Sequence, residues 1–504
     1  MPNSTKFFYF IAFLCGVVVM AMEISFSRLL APYFGTSLFV WTNLIGAVLI
    51  ALAVGYYVGG YLAERWPELS LLLKLIFFSG LMFLFVPWVV SLLGSQAVLR
   101  WRETYDLFSL LSWWIPAVAV LVLPLSVLGM ASPFLMKIYS LQNQQFGRVS
   151  GGISFAFTVG SILGVYLPTF WLIPTFGTRA TIMAFAAPLV LLGILGWRRT
   201  VPKVLFIVLA AGTAALVSFP QILPAFPNLR VLAQEESPYN FIRVMEDAVG
   251  NRYMTFNAGL GIQSIYSPTE RLVGFYYDYY NLLPAFFPDK KEIKVLVLGL
   301  AGGTIPRQLT HFYGDRVVLK AVEIDPEVVE ISRQYFGIDA VKMDVVNEDA
   351  RVFLQSDHDK YDIIIVDAFQ NEFEIPWTLT TEEFWRLVRG RLRDGGIMAM
   401  NLIGRKADDP LGDRLTNTQS KIFTHTYFAV LGEEQRVNKL ILASNRQLNF
   451  SGSSFSILPG QLWETAASLA RSILPVTYVQ SEPILTDDRA PVEILTSSVL
   501  FGSP

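Results

Sequence analysis

The chain has 504 residues, enough for two or more domains, with a mean hydropathy of +0.46 and only 16% charged residues. Residues 1–224 hold 12 of the 39 Lys and Arg residues and 5 of the 41 Asp and Glu residues, so the rest of the chain is acidic. An acidic second half argues against nucleic acid as a partner, because phosphate binding needs a basic surface. The single cysteine, Cys15, excludes a disulfide within the chain and a cysteine-based metal site. No metal is expected.

Residues 1–223 are predicted to form an α-helical membrane domain of about six or seven spans. Apolar runs near or above the length that crosses a bilayer lie at 7–30, 39–62, 70–96, 110–136, 150–172, 180–197 and 203–220. The first run is too long for a simple signal peptide and lacks its small-residue cleavage site. We therefore expect a multi-pass protein of the cell inner (plasma) membrane, with the lipid bilayer as a partner.

The basic residues between the runs predict an orientation. Most follow the second, fourth and sixth runs: Arg65, Lys137, Arg148, Arg198, Arg199 and Lys203. The positive-inside rule then places the amino terminus in the cytoplasm. Seven crossings would leave the second half outside, away from any cytosolic cofactor. We favour a cytoplasmic second half, with the short last run not crossing, and the conflict stays open.

Two ionisable residues, Glu23 and Arg28, lie within the first apolar run. An ionisable side chain in a membrane segment is a candidate functional group. One interpretation is a polar site that faces the interior of the helix bundle. The other is that Arg28 extends to the membrane interface while Glu23 pairs with a neighbour. The sequence leaves both open.

Residues 224–285 are predicted to contain a linker, at 224–236, and a small β domain with strands within 241–247, 251–257 and 262–266. From 286 to 504, strands and helices alternate, which is typical of a parallel α/β sheet. We expect strands at 293–299, 317–323, 341–345, 361–367, 396–402, 426–431 and 437–443, and helices near 303–313, 326–335, 349–356, 381–393 and 411–424.

Glycines and acids follow consecutive strands of this predicted sheet, where open α/β sheets place their ligands. Gly299, Gly302 and Gly303 follow the first strand and let the backbone approach a ligand. Glu323 ends the second strand, where an acid suits ribose hydroxyls. Asp349, after the third, suits an adenine amino group or a helix N-cap. The sequence therefore predicts a nucleoside site at this edge.

Asp367 has the most specific setting of these acids. A strand whose residues 363–366 are all apolar ends directly at its carboxylate, at the rim of a buried sheet. Burial and neighbours can tune the pKa of a carboxyl placed there for general-base work. We expect a catalytic or ligand-binding role for Asp367.

The order of the motifs resembles the spermidine synthase family of aminopropyltransferases, including its membrane-fused bacterial branch. The resemblance covers about residues 230–500 and rests on ESPYNFIRV (236–244), GIQS (261–264), FYYD (275–278), the glycine loop, VEID (322–325), EDA (348–350), VDAF (366–369) and LTDDRAPVE (485–493). It implies a Rossmann-like domain of the S-adenosylmethionine-methyltransferase type. It also implies transfer of an aminopropyl group from decarboxylated S-adenosylmethionine to an amine such as putrescine.

In this family pattern Glu323 binds the ribose, Asp349 binds the adenine and Asp367 accepts the proton of the attacking amine. Tyr276 or Tyr277 matches the tyrosine that lines the site, and the sequence does not decide between them.

The chain departs from the family pattern at three positions. Thr304 stands where members with the standard activity have the glycine-loop acid that holds the cofactor's terminal amino group. Gln370 replaces a second acid three residues after Asp367, and Asn240 replaces the usual glutamine. Glu372 and Glu374 follow in the same loop and are candidates to compensate. We expect the nucleoside half of the site to be retained and the amine half to be altered.

Three functions remain open from the sequence. The first is a membrane-anchored aminopropyltransferase that makes spermidine or a similar polyamine. The second is an S-adenosylmethionine-dependent methyltransferase on the same scaffold, because without the acid a methionine carboxylate is not repelled. The third is a transporter or sensor that binds a nucleoside or polyamine without turning it over. Whether the chain forms a homodimer also stays open.

Overall fold

The computed structural model of the protein describes residues 5–35, 38–104, 107–141, 146–196, 212, 226, 228–257, 259, 261–370, 374–406, 409–432, 436–450, 455 and 458–501. Contacts between Cα atoms divide the chain into two units, Met1–Ala225 and Phe226–Pro504. The first is built of long apolar helices, and the second contains two β-sheets.

The helices of the first unit are α1 (Thr5–Phe34), α2 (Leu38–Arg65), α3 (Leu69–Thr104), α4 (Leu107–Gly129), α5 (Ala131–Ser140), α6 (Phe146–Leu167) and α7 (Ile173–Ile194), with a π-helix (Pro168–Leu172) between α6 and α7. By length and composition, the described residues contain five candidate membrane spans: Thr5–Phe34, Val40–Arg65, Leu69–Val98, Trp114–Ser140 and Gly147–Ile194. The expected number of six or seven is not confirmed. The predicted run at 203–220 lies outside the described residues, except for residue 212.

The fifth candidate span is 48 residues long and is interrupted at Gly177, where φ is 79° and ψ is 166°. After this break, α7 runs antiparallel to α3, because Gly80 packs on Val190 and Gly193 on Phe77. The helix before the break, α6, runs parallel to α1. The break at Gly177 therefore separates a helix packed parallel to α1 from a helix packed antiparallel to α3.

The smaller sheet of the second unit is antiparallel. Within the described residues its order is β1 (Arg230–Glu236), β2 (Phe241–Glu246), β3 (Arg252–Phe256) and β4 (Ile262–Tyr266). The last three were expected, but the prediction of a linker through residue 236 is wrong for β1. This strand lies at the sheet's edge and is mostly exposed, and charged residues are typical of such edges. Its amino-acid composition is therefore similar to that of a linker.

The larger sheet contains β5 (Ile293–Leu298), β6 (Val317–Glu323), β7 (Met343–Asn347), β8 (Tyr361–Val366), β9 (Leu392–Arg405), β10 (His425–Leu431), β11 (Arg436–Ser444) and β12 (Ile473–Val476). Across the described residues the strand order is β12-β10-β11-β9-β8-β5-β6-β7. The ladders from β7 to β9 are parallel, and β11 is antiparallel to both of its neighbours. This topology confirms the predicted Rossmann-like domain. β12 was not predicted.

Helices cover this sheet or join its strands: α8 (Tyr277–Tyr280), α9 (Thr304–Tyr313), α10 (Pro326–Phe336), α11 (Ala350–Ser356), α12 (Glu382–Arg391), α13 (Pro410–Ile422), α14 (Trp463–Ser472) and α15 (Val492–Phe501). The central strand β5 supplies both apolar faces, since Val295 and Val297 pack in one core cluster and Leu296 and Leu298 in the other. Every residue of β8 is buried. A buried run of apolar residues, here 363–366, is what a parallel sheet covered on both sides requires.

A cluster of charged residues lies at the amino-terminal edge of the larger sheet. It is centred on Asp362, whose side chain is fully buried. Its Oδ1 pairs with Lys290, and its Oδ2 accepts hydrogen bonds from the backbone N of Lys294 at 2.9 Å and from Arg393 Nη1 at 2.9 Å. A buried carboxylate is tolerated when partners satisfy it in this way. This cluster ties β8 to the start of β5 and to β9.

Replacing Asp362 by alanine is expected to destabilise the second unit by about 3–5 kcal/mol, because a buried charge pair loses one partner. Native-state hydrogen exchange of the β8 amides in the full chain measures this change. Asp359→Ala is the matched control, since Asp359 is half exposed and pairs with Lys320 at 3.1 Å. The control should cost about 1 kcal/mol or less. Equal losses in both variants would contradict the structural role of Asp362.

Candidate active site

Asp367 follows β8 directly, at the carboxyl edge of the sheet. Its backbone N donates to the carbonyl of Leu298 at 2.9 Å, which extends the ladder between β8 and β5 by one residue. A parallel sheet collects the carboxyl ends of its central strands along one edge. The side chain of Asp367 is therefore fixed where the loops after β5, β6 and β8 converge.

The carboxyl of Asp367 is held in an aromatic and amide environment. The hydroxyl of Tyr276 donates to Oδ2 at 3.0 Å. Burial raises the pKa of Asp367 to about 7, while polar contacts from Tyr276, Tyr280 and Asn401 act in the opposite direction. A carboxyl that titrates near neutral pH is suited to take up a proton during a reaction.

Several buried polar atoms around Asp367 lack a well-formed hydrogen bond within the described residues. They are Oδ1 of Asp367, the hydroxyl of Tyr280, and both polar atoms of the Asn401 side chain. Buried polar groups are normally paired, so a cluster of such atoms calls for an explanation. A ligand that both donates and accepts hydrogen bonds would supply the partners.

The tyrosine segment is positioned by a network behind it. Asp278 Oδ1 accepts from Gln308 Nε2 at 2.7 Å, and its Oδ2 accepts from the backbone N of Gly274 at 2.8 Å. Asn281 Nδ2 donates to Gln308 Oε1 at 2.8 Å. Because Gln308 lies on α9, this network fixes α8 against the helix that follows the glycine loop.

The structure distinguishes the roles of Tyr276 and Tyr277, which the sequence could not distinguish. Tyr276 reaches Asp367, whereas the Tyr277 hydroxyl donates to the carbonyl of Ile262 at 2.9 Å. The two rings lie against each other with centroids 4.1 Å apart. Tyr277 therefore supports Tyr276 from the side of β4.

The glycine loop is formed by close backbone contacts. At Gly299, φ is 96° and a Cβ would lie 2.4 Å from the carbonyl oxygen of Asp367. Gly303 has φ of 72°, and a Cβ on Gly302 would lie 2.7 Å from the Cβ of Ser264. These positions require glycine for steric reasons. The loop passes directly beside Asp367 as a result.

Glu323 closes the other side of the loop. Its Oε2 accepts from the backbone N of Leu300 at 3.0 Å and of Ala301 at 3.1 Å, and Oε1 accepts from the backbone N of Asp325 at 3.2 Å. Burial raises its pKa, and these amides oppose the rise. Both lone pairs of Oε2 are used by the two loop amides, whereas Oε1 has a further lone pair that can accept a ligand hydroxyl.

Thr304 is not placed as the sequence predicted. It is 1% exposed, and its hydroxyl contacts β4: it accepts from the backbone N of Ile265 at 3.0 Å and lies 2.9 Å from the Ile265 carbonyl oxygen. Of residues 300–304, Ala301 alone is not buried. Thr304 starts α9 and faces the small sheet, so Ala301 stands at the open side of the loop. The prediction that Thr304 contacts a cofactor is corrected accordingly.

The remaining predicted residues differ in their contacts and in their exposure. Asp349 caps α11, its Oδ1 accepting from the backbone N of Arg351 and Val352. Asn240 is buried and accepts from Asn257 Nδ2 at 3.2 Å. Gln370 is exposed, with its backbone N donating to the carbonyl of Glu374 at 2.8 Å. Glu372 lies outside the described residues.

Two residues at the centre were missed from the sequence, Tyr280 and Asn401. Asn401 is a polar residue directly after an apolar run in β9, the strand parallel to β8. The reasoning that selected Asp367 would have found it. Tyr280 is four residues after Tyr276, so one helical turn brings both hydroxyls to the same side.

Comparison with known proteins identifies the family. A family model described as the spermine/spermidine synthase domain matches residues 283–427. The chain is 30% identical over 258 residues to a polyamine aminopropyltransferase of Vibrio vulnificus, covering 49% of this chain and 79% of that protein. The chain belongs to the spermine/spermidine synthase family.

Two further proteins are similar to the chain. A probable polyamine aminopropyl transferase of Bifidobacterium longum is 29% identical over 290 residues, which cover 54% of this chain and 63% of that protein. The crystal structure of a probable spermidine synthase from Corynebacterium glutamicum is 21% identical, with a TM-score of 0.41, and the alignment covers 45% of this chain and 85% of that one.

The raised pKa of Asp367 predicts a pH-dependent cost to stability. A carboxyl with a raised pKa destabilises the fold once pH exceeds the ordinary value near 3.8, and the cost is complete above about 7. Asp367→Asn should therefore stabilise the second unit by about 2 kcal/mol or more at pH 8 and by less at pH 5. Denaturant unfolding of the full chain at both pH values measures the difference. Asp359→Asn, at an exposed site, should show no such pH dependence, and a gain that is equal at both pH values would contradict the raised pKa.

Proposed function

We propose that the protein is a membrane-anchored aminopropyltransferase. It moves an aminopropyl group from decarboxylated S-adenosylmethionine to an amine acceptor such as putrescine. The observation that carries this proposal is the Asp367 carboxyl, buried at the strand end, bonded to Tyr276 and titrating near pH 7. Family membership and the aminopropyltransferase names of the relatives support it.

The reaction needs a base for a simple reason. An ammonium group has no free electron pair, so the acceptor must lose a proton before its nitrogen attacks. The nitrogen then bonds to the propyl carbon beside the sulfonium, the carbon–sulfur bond breaks, and its electron pair leaves on sulfur as methylthioadenosine. In this proposal Asp367 takes the nitrogen's proton, and the Tyr276 hydroxyl keeps Oδ2 oriented so that Oδ1 faces the amine.

The nucleoside is assigned to the neighbouring strand ends. Glu323 would accept a ribose hydroxyl with the lone pair of Oε1 that the backbone N of Asp325 leaves free. Asp349 would use Oδ2 for the adenine amino group, because its Oδ1 caps α11. Gly299, Gly302 and Gly303 bring the loop backbone close to the sulfonium centre. Asn240, Gln370 and Asn401 are the neutral polar side chains available to the amine groups.

One observation favours a second candidate, an S-adenosylmethionine-dependent methyltransferase. Ala301, a partly exposed residue of the glycine loop, has no charge to hold a terminal amino group or to repel a carboxylate. Intact S-adenosylmethionine, which carries that carboxylate, is therefore not excluded electrostatically. Thermal stabilisation of the full chain by the decarboxylated and intact donors separates the two. Stronger stabilisation by the intact donor, with a homocysteine-type product, would reject the first proposal.

The membrane anchor is proposed from the first unit. Five described helical segments have the length and composition of membrane spans, and the break at Gly177 would allow the fifth to cross twice. Six crossings would return the chain to the side from which it started. With the amino terminus in the cytoplasm and no further crossing by the run at 203–220, the second unit would then be cytoplasmic.

Asp367→Asn is expected to lower kcat by about 10²–10⁴-fold, the usual range for loss of a general base. Binding of methylthioadenosine should persist, since the nucleoside contacts lie on other loops. Turnover of putrescine and calorimetric titration of the nucleoside measure the two effects. Asp359→Asn serves as the control and should retain full turnover. Unchanged turnover in Asp367→Asn would remove this residue from the mechanism.

Tyr276→Phe is expected to move the acidic limb of the kcat/KM profile to higher pH. The lost hydrogen bond stabilises the charged carboxylate, so its removal raises the pKa of Asp367 above about 7. Tyr279→Phe is the matched control, because the Tyr279 hydroxyl lies 3.1 Å from Ser468 Oγ, away from Asp367. A profile that stays in place in Tyr276→Phe, or moves to lower pH, would show that Asp367 is not the group that titrates.

A further inference from the structure

Glu23 in α1 is a buried charged residue that the proposed reaction does not use. It is 8% exposed and lies near the middle of the first candidate span. Among the residues that the structure describes, none forms a hydrogen bond or an ion pair with its carboxyl. The pairing with a neighbour that the sequence left open is therefore not observed. A carboxyl buried without a partner is costly, and such groups in apolar helices are associated with function.

The contacts between α1 and α6 define the direction in which Glu23 points. A Cβ on Gly152 would meet the Tyr9 ring, one on Gly160 the Phe13 carbonyl, and one on Gly164 would lie 3.1 Å from Met20 Cβ. A Cβ on Gly16 would lie 2.0 Å from the Phe157 carbonyl oxygen. On α1 the contacts with α6 fall on residues 9, 13, 16, 17 and 20, with the spacing of three or four residues that is typical of one helix face. The same spacing places residues 23 and 27 next on this face.

The helix α6, which packs against α1, becomes irregular at the height of Glu23 along the helix axis. Because α1 and α6 run in parallel, the step from Met20 to Glu23 corresponds to the step from Gly164 to Pro168, where the π-helix begins. This π-helix contacts α1. Pro168 is buried on the same face as Gly164 and has no N–H to donate to the Gly164 carbonyl. Single π turns inside helices occur often at functional sites.

We propose that Glu23, Ser27 and the Gly164 carbonyl form a binding site for an alkylammonium group inside the helical unit. Ser27 is 6% exposed, and its hydroxyl donates to the Ile24 carbonyl at 2.8 Å, which leaves its lone pairs as acceptors. The site then offers one negative charge and three kinds of oxygen acceptor. The choice of an amine ligand rests on the proposed function, since amines are its acceptor and product.

The donor count favours an ammonium group over a metal ion. A primary ammonium carries three N–H donors and one positive charge, which match one carboxylate and two neutral acceptors. Calcium and magnesium prefer six or more oxygen ligands, with several carboxylates. Within the described residues, no group of three or more His, Cys, Asp or Glu side chains is placed to hold a metal. The apolar surroundings strengthen a charge-assisted hydrogen bond once it forms.

Equilibrium dialysis with radiolabelled spermidine tests the site in the full chain, reconstituted in phosphatidylcholine nanodiscs that contain no primary amine. Glu23→Gln should bind one spermidine fewer per chain than the wild type, because the isosteric amide removes the charge. Its kcat for putrescine should be unchanged. Glu64→Gln, at an exposed carboxyl of α2, is the matched control and should bind as the wild type does. An unchanged stoichiometry in Glu23→Gln would overturn the proposal.

Competitors define the chemistry of the site. Choline, which lacks N–H donors, should not displace the spermidine that depends on Glu23. Displacement by phosphatidylethanolamine in the nanodisc would support the same ammonium site and assign its source to a lipid headgroup. Displacement by sodium at concentrations equal to that of spermidine would overturn the ammonium assignment in favour of an alkali cation.

The same measurements keep the two proposals separate. If the wild type transfers no aminopropyl group but Glu23→Gln still loses one spermidine per chain, the proposed function fails and the Glu23 site stands. If turnover is normal and the stoichiometry does not change, the Glu23 site fails and the proposed function stands. Size-exclusion chromatography of each variant confirms that the helices remain assembled.

Discussion

The close approach of two backbones at Gly299 and Asp367 is the constraint on which the site depends. Gly299 donates through its backbone N to the carbonyl of Val322 at 2.8 Å, and Asp367 donates to the carbonyl of Leu298 at 2.9 Å. The last bonds of two parallel ladders therefore meet at one turn. No side chain fits there, because a Cβ on Gly299 would lie 2.4 Å from the Asp367 carbonyl oxygen. The sheet thus fixes the loop and the carboxyl relative to each other.

The buried acids at the two edges of the larger sheet have different kinds of partners. At the amino-terminal edge, Asp362 has two basic side chains and a backbone amide as partners. At the carboxyl edge, Asp367 has the Tyr276 hydroxyl, and its Oδ1 has no well-formed hydrogen bond within the described residues. The first arrangement pairs the acid with opposite charges, whereas burial without such charges raises the pKa of Asp367. In the proposed function, the stabilising acid and the reactive acid therefore lie at opposite ends of the same strand, β8.

The sequence predicted the elements of the larger sheet well because apolar periodicity and strand-end acids are local features. The direction of a side chain across a contact is not local. Thr304 follows two glycines in the sequence, but its hydroxyl turns to β4 because α9 begins there under the small sheet. Tyr276 and Tyr277 are adjacent and chemically identical, so only the packing of α8 distinguishes them. The strand β1 was missed because an exposed edge strand and a linker have similar composition.

Through the contacts of Thr304 and Ser264, the glycine loop is held by both sheets. Ser264, on β4, accepts a hydrogen bond from the backbone N of Gly302 at 2.9 Å and contacts the Thr304 hydroxyl at 3.1 Å. The segment that matches the family model starts at residue 283, after this strand. A shortened chain that began there would keep every strand of the larger sheet but leave a backbone amide and a hydroxyl of the loop without partners. The start of the family-model match at residue 283 is therefore not the boundary of the unit that folds cooperatively, because that unit includes β4.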